Sequence, residues 1–217
     1  MKHILALTVG LLVGGIVAAS MIYFNPMLAG DPQPKPTDPW NLSYSFTGAS
    51  TLLLTHNEQI ALPEVPPDVA DLWESGIDGM ILNALALTGD TGLIEAVATR
   101  VSVPSAKTNL LTEGVLVDDY WLLTVPGAGS LFVHSLNNQW DLVKDTLVRV
   151  DLLGQDWPGP IEYDPTRGPE TRGSGSIVGL SGQFSGQKGT ALERLALDRY
   201  DVRGFEQLRG ELALVVE

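Results

Sequence analysis

Cysteine is absent from this 217-residue chain, and basic side chains are few. Without thiols, the sequence excludes disulfide bonds, thiolate metal sites and cysteine nucleophiles. Lysine and arginine together number 13 against 26 acidic residues, so the formal net charge is −13. A surface of that sign repels nucleic-acid phosphates and anionic lipid headgroups. We therefore expect no nucleic-acid partner.

Charged residues of either sign are also scarce, at 18% of the chain, whereas hydrophobic residues make up 44%. This composition is typical of a folded domain and not of a disordered chain. The length suits one domain with a substantial core and a short appendage. The sequence divides into an N-terminal anchor or signal peptide over residues 1–30, a proline-rich linker over 31–40 and a β-rich domain over 41–217.

Residues 4–24 form an uncharged, largely apolar run. As a helix rising about 1.5 Å per residue, this run matches the roughly 30 Å hydrocarbon core of a bilayer. Lys2 precedes it and the next basic residue is Lys35, so the positive-inside rule places the N-terminus in the cytoplasm. The pattern predicts a single-pass inner (cytoplasmic) membrane protein with a periplasmic main domain, and the membrane as a partner through residues 4–24. A cleaved signal peptide is the alternative.

The domain after Trp40 alternates apolar and polar residues between turn signals. Such period-2 segments with a turn about every ten residues favour a mostly β fold, either a small antiparallel barrel or a sandwich. The predicted fold is therefore a barrel or sandwich preceded by one N-terminal transmembrane helix. Local predictions are one or two helical turns at 68–73, a strand or helix at 93–103, a turn at Asn137–Asn138 and a long loop at 154–173.

The glycine-rich stretch RGSGSIVGLSGQFSG occupies residues 172–186. It is not a dinucleotide fingerprint, because Val178 stands where the third glycine is needed, and it is not a P-loop, because Gln187 and Gly189 flank Lys188. Glycine inside a strand marks a bulge, a bend or a close backbone approach. We therefore predict a bent strand, with a turn at 186–189. Its apolar anchors are Ile177, Leu180 and Phe184.

The pattern Gly173-x-Gly175-x-x-x-Gly179-x-x-Gly182-x-Phe184, followed by a strand and Gly210-Glu211-Leu212, carries a family resemblance. It resembles the C-terminal glycine pattern of allene oxide cyclase-like and dirigent-like β-barrels, over residues 173–217. The resemblance implies a small antiparallel barrel of a kind that often forms oligomers or holds apolar ligands. No matching pattern lies upstream, so no catalytic residue of those families is carried over.

Candidate catalytic side chains do not gather into a known motif. The histidines at positions 3, 56 and 134 are far apart, and no spacing typical of a metal site exists. His134 is the best candidate for a general base, but Ser135 beside it points to the opposite face of a strand. Asp118 and Asp119 are adjacent carboxylates, a type of pair that serves in acid–base chemistry or cation binding. We predict no catalytic residue, no metal and no cofactor.

The predicted loop at 154–173 is long for a compact domain, and such loops are usually functional or disordered. It carries two aromatic residues and two of the chain's few arginines, and aromatic side chains commonly line ligand sites. We therefore predict a ligand-binding site in this loop, joined by an aromatic pair from another strand. Its residues are Trp157, Tyr163, Arg167, Arg172, Tyr120 and Trp121.

Two functions follow from these patterns. The main prediction is a non-enzymatic, membrane-anchored envelope protein whose β-domain binds a protein partner or supports a membrane assembly. It rests on the apolar run and on the lack of a catalytic motif. The alternative is a binder of small apolar ligands, or a cyclase- or isomerase-like barrel in which an aromatic-lined cavity and one acid such as Asp119 act on the ligand.

Overall fold

The computed structural model describes residues 2–25, 28, 38–46, 51–56, 70–73, 79–201, 204–205 and 208–217. The helices are α1 (Lys2–Tyr23), α2 (Trp140–Val143) and a π-helix that continues α2 (Lys144–Leu152). The strands are β1 (Trp40–Phe46), β2 (Thr51–His56), β3 (Ala70–Trp73), β4 (Ile81–Thr88), β5 (Ile94–Pro104), β6 (Leu116–Val125), β7 (Gly129–Asn138), β8 (Ile161–Tyr163), β9 (Thr166–Gly168), β10 (Gly175–Gly182), β11 (Lys188–Leu197), β12 (Tyr200–Asp201), β13 (Gly204–Phe205) and β14 (Leu208–Val216).

Eight antiparallel strands form a closed barrel. Around the barrel they follow the order β1, β14, β11, β10, β7, β6, β5 and β4. The circle closes where Ser43 of β1 lies opposite Thr88 of β4. A sandwich would leave two separate sheets with unpaired edges, so the barrel is the correct one of the two predicted architectures.

The two ends of the barrel differ in chemistry. We call the end where β1 stops at Phe46 and β4 starts at Ile81 the upper end, and the opposite end the lower end. Inward-facing side chains alternate with outward-facing ones along each strand, as the period-2 pattern predicts. The lower half of the interior is filled by buried leucines, which form most of the hydrophobic core. They include Leu42, Leu87, Leu123, Leu131, Leu212 and Leu214.

The predicted loop at 154–173 contains two short strands that complete the barrel wall. β10 begins only at Gly175, which lies opposite Ala191 of β11. Above that level β9 pairs with the upper part of β7, and β8 pairs with the upper part of β11. The loop prediction is therefore wrong for these strands, because the alternation of three residues is too short to distinguish a strand from a loop in sequence.

The stretch at 172–186 contains the predicted bent strand, but the turn lies at 183–186 and not at 186–189, since β11 already begins at Lys188. The register of β10 against β7 shifts between Gly179 and Ser181, which marks a bulge. A Cβ atom on Gly179 would lie 1.5 Å from the carbonyl oxygen of Phe184, so only glycine allows the backbone to fold back this closely. Ile177 and Phe184 are buried anchors, whereas Leu180 is 49% exposed and is not one.

Three local predictions need correction or completion. Residues 70–73 form strand β3, paired in parallel with β2, and not a helical turn. Residues 94–104 form strand β5, because pairing with β4 and β6 on both sides decides between strand and helix where the local pattern allowed either. Asn137 and Asn138 end strand β7 and are buried, so they form no exposed turn.

The N-terminal apolar run forms α1, and this helix ends at Tyr23. Leu28 is buried, and its carbonyl oxygen accepts a 2.9 Å hydrogen bond from Asn138 Nδ2. Of the predicted linker at 31–40, residues 31–37 lie outside the described residues. In the part of the chain that the structure describes, no helix meets the length and apolarity needed to cross a membrane. The cellular location stays a prediction.

The close approach at Gly179 leads to a stability prediction. We expect Gly179→Ala to destabilise the barrel by about 1–3 kcal/mol or more, because the added methyl group forces β10 away from the carbonyl of Phe184. The measurement is the free energy of unfolding in guanidinium chloride. Gly14→Ala is the control, since nothing lies within 4 Å of a Cβ at Gly14. Equal unfolding free energies for the two variants would contradict the prediction.

Candidate functional site

A cluster of polar side chains occupies the upper half of the barrel interior. We call it the polar cluster and define it by five buried residues, each from a different strand: Tyr44 (β1), Arg100 (β5), Asp119 (β6), Asn137 (β7) and Glu193 (β11). Each has at most 5% of its surface exposed. Since lone charges are almost never buried without partners, the contacts among these five residues decide what the site can do.

An ion pair between Arg100 and Asp119 lies at the centre of the polar cluster. Arg100 donates two hydrogen bonds to the carboxylate, from Nε to Oδ1 at 2.9 Å and from Nη2 to Oδ2 at 2.5 Å. Asp119 also accepts hydrogen bonds from the Ser102 hydroxyl and from Asn137 Nδ2, the latter at 2.6 Å. The two-point contact fixes the guanidinium in one orientation.

Two aromatic rings pack against the same guanidinium. Arg100 Cζ lies 4.7 Å from the ring centre of Trp121 and 4.9 Å from that of Phe46. Burial is the largest single influence on the pKa of Arg100 and opposes its charge, but Asp119 and Glu193 together raise that pKa. Arg100 is therefore a permanent cation inside the barrel, and the side chains around it must balance one positive charge.

Glu193 is the acid with the most unusual environment. Its Oε1 accepts a hydrogen bond from the Tyr44 hydroxyl and lies 3.1 Å from Arg100 Nη1, while its Oε2 accepts one from Asn137 Nδ2 at 2.5 Å. Burial raises the pKa of Glu193, with Asp119 adding to the rise, whereas Arg100 and the two hydrogen bonds lower it. With Glu193 ionised, the polar cluster carries one more negative than positive charge, which a buried environment disfavours.

Tyr44 reaches Glu193 because strand β14 has a glycine between them. Tyr44 lies opposite Gly210 in the β1–β14 register, and Leu195, two residues after Glu193, also pairs with Gly210. A Cβ on Gly210 would lie 2.1 Å from the ring carbon Cζ of Tyr44, so the ring packs directly over the glycine backbone. Burial, followed by the charge of Glu193, raises the pKa of Tyr44 well above its usual value. The hydroxyl therefore keeps its proton and acts as a donor.

Among the described residues, three buried polar atoms have no hydrogen-bond partner: Trp121 Nε1 and Ser135 Oγ beside the polar cluster, and Asn137 Oδ1 within it. Ser135 lies directly opposite Asp119 in the β6–β7 pairing. Unpaired buried donors and acceptors are costly, at about 1–3 kcal/mol each. Their presence beside a buried acid is typical of a binding site and not of a core selected only for stability.

Asp118 and Asp119, which were predicted to act as a pair, lie on opposite sides of the barrel wall. Consecutive residues of a strand face opposite sides, so Asp119 is buried inside while Asp118 faces outward. On the outside, Asp118 Oδ1 lies 3.1 Å from His134 Nε2. Ser135 points inward, as predicted, and cannot form a dyad with His134. The adjacent carboxylates therefore do not share a proton.

The residues predicted to bind a ligand do not form one site. Trp121 contacts Arg100 in the interior, and Tyr163 on β8 lies close enough to the polar cluster that burial, followed by the charge of Glu193, raises its pKa. Trp157 packs beside Tyr200, with ring centres 6.2 Å apart. These three are partly or fully buried at or next to the hydrophobic core.

The remaining three predicted residues lie elsewhere. Tyr120 is on the outer surface, stacked on His134 with ring centres 4.7 Å apart. Arg167 Nη1 donates to the carbonyl oxygens of Asp164 and Thr166, and Arg172 is exposed. The structure therefore separates Tyr120 from Trp121 by the thickness of the barrel wall, although the two are neighbours in sequence.

Sequence reasoning missed Tyr44, Arg100, Asn137 and Glu193. A signal was present: in Ala96-Val97-Ala98-Thr99-Arg100, the arginine follows two alanines on the same alternating face. Glu193 likewise shares its face with Ala191 and Leu195. A charge in the apolar phase of a strand indicates a buried ionic group with a partner on another strand. Only the strand order of the barrel decides which residue that partner is.

No family model and no curated protein matches the chain. Solved structures similar to it include a nonspecific heme-binding cyclase that catalyses a 4 + 2 cycloaddition during neoabyssomicin biosynthesis, with a TM-score of 0.41, 11% identity and coverage of 84% of this chain and 66% of the other. Another is the Diels Alderase AbmU from Streptomyces koyangensis, with a TM-score of 0.39, 13% identity and coverage of 82% and 63%. The chain thus spans just under two thirds of these structures. Similarities this low assign no activity to it.

The main function predicted from the sequence, a non-enzymatic membrane-anchored envelope protein, is wrong. It rested on the lack of a catalytic motif, whereas the fold brings Arg100, Asp119, Glu193 and Tyr44 together from four strands. The first solved structure above is described as a cyclase and the second as a Diels Alderase. The barrel implied by the sequence resemblance is confirmed by the fold itself, without distinguishing allene oxide cyclase-like from dirigent-like families.

The ion pair at the centre of the cluster leads to a second stability prediction. We expect Asp119→Ala to cost about 3–5 kcal/mol, because it leaves the Arg100 guanidinium buried without its counter-ion. Asp118→Ala is a matched control on the neighbouring residue, whose partly exposed pair with His134 contributes about 0–1 kcal/mol. Unfolding in guanidinium chloride measures both. A loss below about 1 kcal/mol for Asp119→Ala would show that Arg100 is hydrated, not dry.

The raised pKa of Glu193 predicts a specific pH dependence of stability. The unfolded chain releases the Glu193 proton near pH 4.3, whereas the folded barrel holds it to higher pH. The stabilising effect of that proton is present below about pH 4.3 and is lost as the pH rises through the folded pKa, at up to about 1.4 kcal/mol per pH unit. Glu193→Gln removes the titration, so relative to this variant the native chain should lose stability as the pH rises.

The measurement is a set of urea unfolding curves from pH 4 upwards for the native chain and for Glu193→Gln. Glu162→Gln is the control, because Glu162 is an exposed glutamate on β8. It should follow the native chain at every pH. A constant difference between the native chain and Glu193→Gln across the range would show that Glu193 titrates normally in the folded state.

Proposed function

We propose that this chain is a small-molecule barrel of the cyclase or isomerase type. It binds a small, largely apolar carbonyl compound at the upper end of the barrel. Glu193 moves a proton to and from that compound, and Tyr44 holds the proton-transfer group in place. The observation that carries the proposal is the buried Tyr44–Glu193 hydrogen bond beside the Arg100–Asp119 ion pair, above the apolar core of a closed barrel.

A buried network of this kind is not needed for stability. Buried ion pairs are often replaced by hydrophobic residues of similar volume with no loss of stability or with a gain. The lower half of the same barrel is filled mostly with leucines and other apolar side chains, so the fold tolerates an apolar interior. Retaining two acids, an arginine and a tyrosine in the upper half supports a chemical role for them.

Each residue has a distinct part in the proposed chemistry. The pKa of Glu193 is raised above its usual value, which suits a group that both gives and takes a proton. The Tyr44 hydroxyl donates to Glu193 Oε1 and, in the bound state, is available to a ligand oxygen next to it. The Arg100 guanidinium, fixed by Asp119, stabilises negative charge that develops on the ligand when its proton leaves. Trp121 Nε1 supplies a further unpaired donor.

The upper end supplies an apolar surface for the body of the ligand. The ring of Phe46 packs on Arg100, and Leu142, Trp157 and Tyr163 pack against the core. Aromatic and aliphatic side chains around a few convergent polar groups are the usual composition of a small-molecule site. Because the polar cluster is buried, a ligand enters only when side chains at this end move aside.

Deuterium exchange into a simple ketone tests the proposal directly. β-Ionone, a neutral apolar ketone, is incubated with the full-length chain in D₂O, and deuterium on the carbon next to the carbonyl is followed by mass spectrometry. We expect exchange above the protein-free rate, rising with pH until Glu193 is ionised. General base catalysis typically contributes about 10²–10⁴-fold, so Glu193→Gln should lose about 100-fold or more of the catalysed rate.

The controls separate chemistry from binding and from stability. Glu162→Gln should exchange at the native rate, and Tyr44→Phe should retain part of the rate because Glu193 remains. Quenching of tryptophan fluorescence by β-ionone reports binding for each variant. Binding without accelerated exchange would make the barrel a carrier and not a catalyst. No exchange above background, or equal rates for the native chain and Glu193→Gln, would overturn the proposal.

A further inference from the structure

Asn137 has an unused acceptor inside the polar cluster. Its side chain is fully buried on the inward face of β7. Nδ2 donates to Asp119 Oδ2 at 2.6 Å and to Glu193 Oε2 at 2.5 Å, so both hydrogens of the amide nitrogen are used. Oδ1 has two lone pairs and no hydrogen-bond donor in the part of the chain that the structure describes. A ligand that supplies a donor at this point therefore gains affinity.

The orientation of the Asn137 amide is fixed by charge. Rotating the amide by half a turn would place Oδ1 against the carboxylate of Asp119, and both atoms would then be acceptors. Asp119 is the counter-ion of Arg100 and is held to it by two hydrogen bonds. The amide nitrogen must therefore face the acids, and Oδ1 is the amide atom that is turned away from them.

The unused acceptor lies close to the proposed proton-transfer group. Oδ1 and Nδ2 of Asn137 are bonded to the same carbon, so their separation is below about 2.6 Å. Adding the 2.5 Å between Nδ2 and Glu193 Oε2 places Oδ1 within roughly 5 Å of that carboxylate oxygen. A hydroxyl group that donates to Oδ1 at about 2.8 Å and a C–H bond that faces Glu193 therefore fit on one carbon atom of a ligand.

We propose that Asn137 is a specificity-determining residue and that the ligands of this site are α-hydroxy ketones. Asn137 Oδ1 accepts the ligand hydroxyl, and Glu193 faces the hydrogen on the carbon that bears this hydroxyl. Tyr44 and Arg100 both contact Glu193 Oε1, and they receive the carbonyl oxygen of the ligand. This inference rests on the function proposed above and names the substrate class of the same site.

The reaction that fits this substrate class is the formation of an enediol. Ionised Glu193 takes the proton from the carbon that bears the hydroxyl, and the C–H electron pair forms a carbon–carbon double bond. The carbonyl π pair moves onto the carbonyl oxygen, whose negative charge Arg100 stabilises. Return of a solvent-exchanged proton to the same carbon labels the ligand. Return to the other carbon, with transfer of the hydroxyl proton to the former carbonyl oxygen, moves the carbonyl by one position.

Ser135 provides a comparison on the same strand. It lies two residues before Asn137 on the inward face of β7, and its buried hydroxyl oxygen is also unpaired among the described residues. A serine hydroxyl both donates and accepts, whereas an amide oxygen only accepts. Ser135 therefore does not distinguish a ligand donor from a ligand acceptor, and Asn137 Oδ1 does.

Deuterium exchange into three related ketones tests the substrate class. Benzoin carries the hydroxyl, deoxybenzoin lacks it, and benzoin methyl ether keeps the oxygen without a donor. Each is incubated with the full-length chain in D₂O, and the exchange rate at the carbon next to the carbonyl is divided by the protein-free rate. We expect this acceleration to be about tenfold or more larger for benzoin than for either analogue, because the analogues leave the buried acceptor unpaired.

The comparison separates this inference from the proposed function. Equal accelerations for the three ketones, with exchange into β-ionone intact, would overturn the inference and leave the proposed function standing. Quenching of tryptophan fluorescence gives the same comparison for binding alone. Tighter binding of benzoin without exchange would support the hydroxyl site at Asn137 and overturn the proton transfer by Glu193. Neither exchange nor a binding preference would overturn both.

Two variants assign the preference to one side chain. Asn137→Ala should give equal accelerations for benzoin and deoxybenzoin, whereas Ser135→Ala should retain the preference for benzoin. Comparing two ligands within one variant cancels any general loss of rate caused by the altered hydrogen bonding of Glu193. A preference that survives Asn137→Ala, or that is lost in Ser135→Ala, would overturn the assignment. The comparison of ketones on the native chain decides the substrate class even where Asn137→Ala does not fold.

Discussion

The ion pair between Arg100 and Asp119 lies inside a closed barrel, where water does not solvate either charge. Removing charges from water costs several kcal/mol per ion, so the surrounding side chains must supply the lost hydrogen bonds. Ser102 and Asn137 donate hydrogen bonds to Asp119, while Glu193 and two aromatic rings contact Arg100. Glu193 thus supplies a further acceptor next to Arg100, and Tyr44 in turn donates to Glu193.

The barrel wall differs from a regular barrel in two places next to the polar cluster. β10 starts too low to cover the polar cluster, and β8 and β9 complete the wall at that level, where the Thr166 hydroxyl oxygen accepts a 3.0 Å hydrogen bond from the backbone N–H of Glu193. Gly210 gives the Tyr44 ring room to reach the acid. The polar upper half thus depends on β8, β9 and Gly210. The leucine-rich lower half needs only the regular alternation of inward and outward side chains.

One strand, β6, serves two surfaces with opposite requirements. Asp119 and Trp121 face the interior and contact Arg100, while Tyr120 and Leu122 face outward. Because the side-chain period of a strand is two, a shift of one residue in register would exchange these sets and place Tyr120 inside. Pairing of β6 with β5 and β7 along its whole length fixes that register. The proposed chemistry depends on this register.

The sequence by itself determined those features that rest on local physics. The apolar helix, the period-2 strands, the bend in the glycine stretch and the opposite orientation of His134 and Ser135 all follow from side-chain spacing and backbone geometry. Only the tertiary structure decided that β1 pairs with β4 to close a barrel, that 70–73 is a strand, and that Asn137 is buried. The same holds for the polar cluster. Glu193 meets Arg100 across 93 positions of sequence, and three strands of the wall lie between β11 and β5. Contacts between distant residues depend on strand order and register, and local patterns do not contain either.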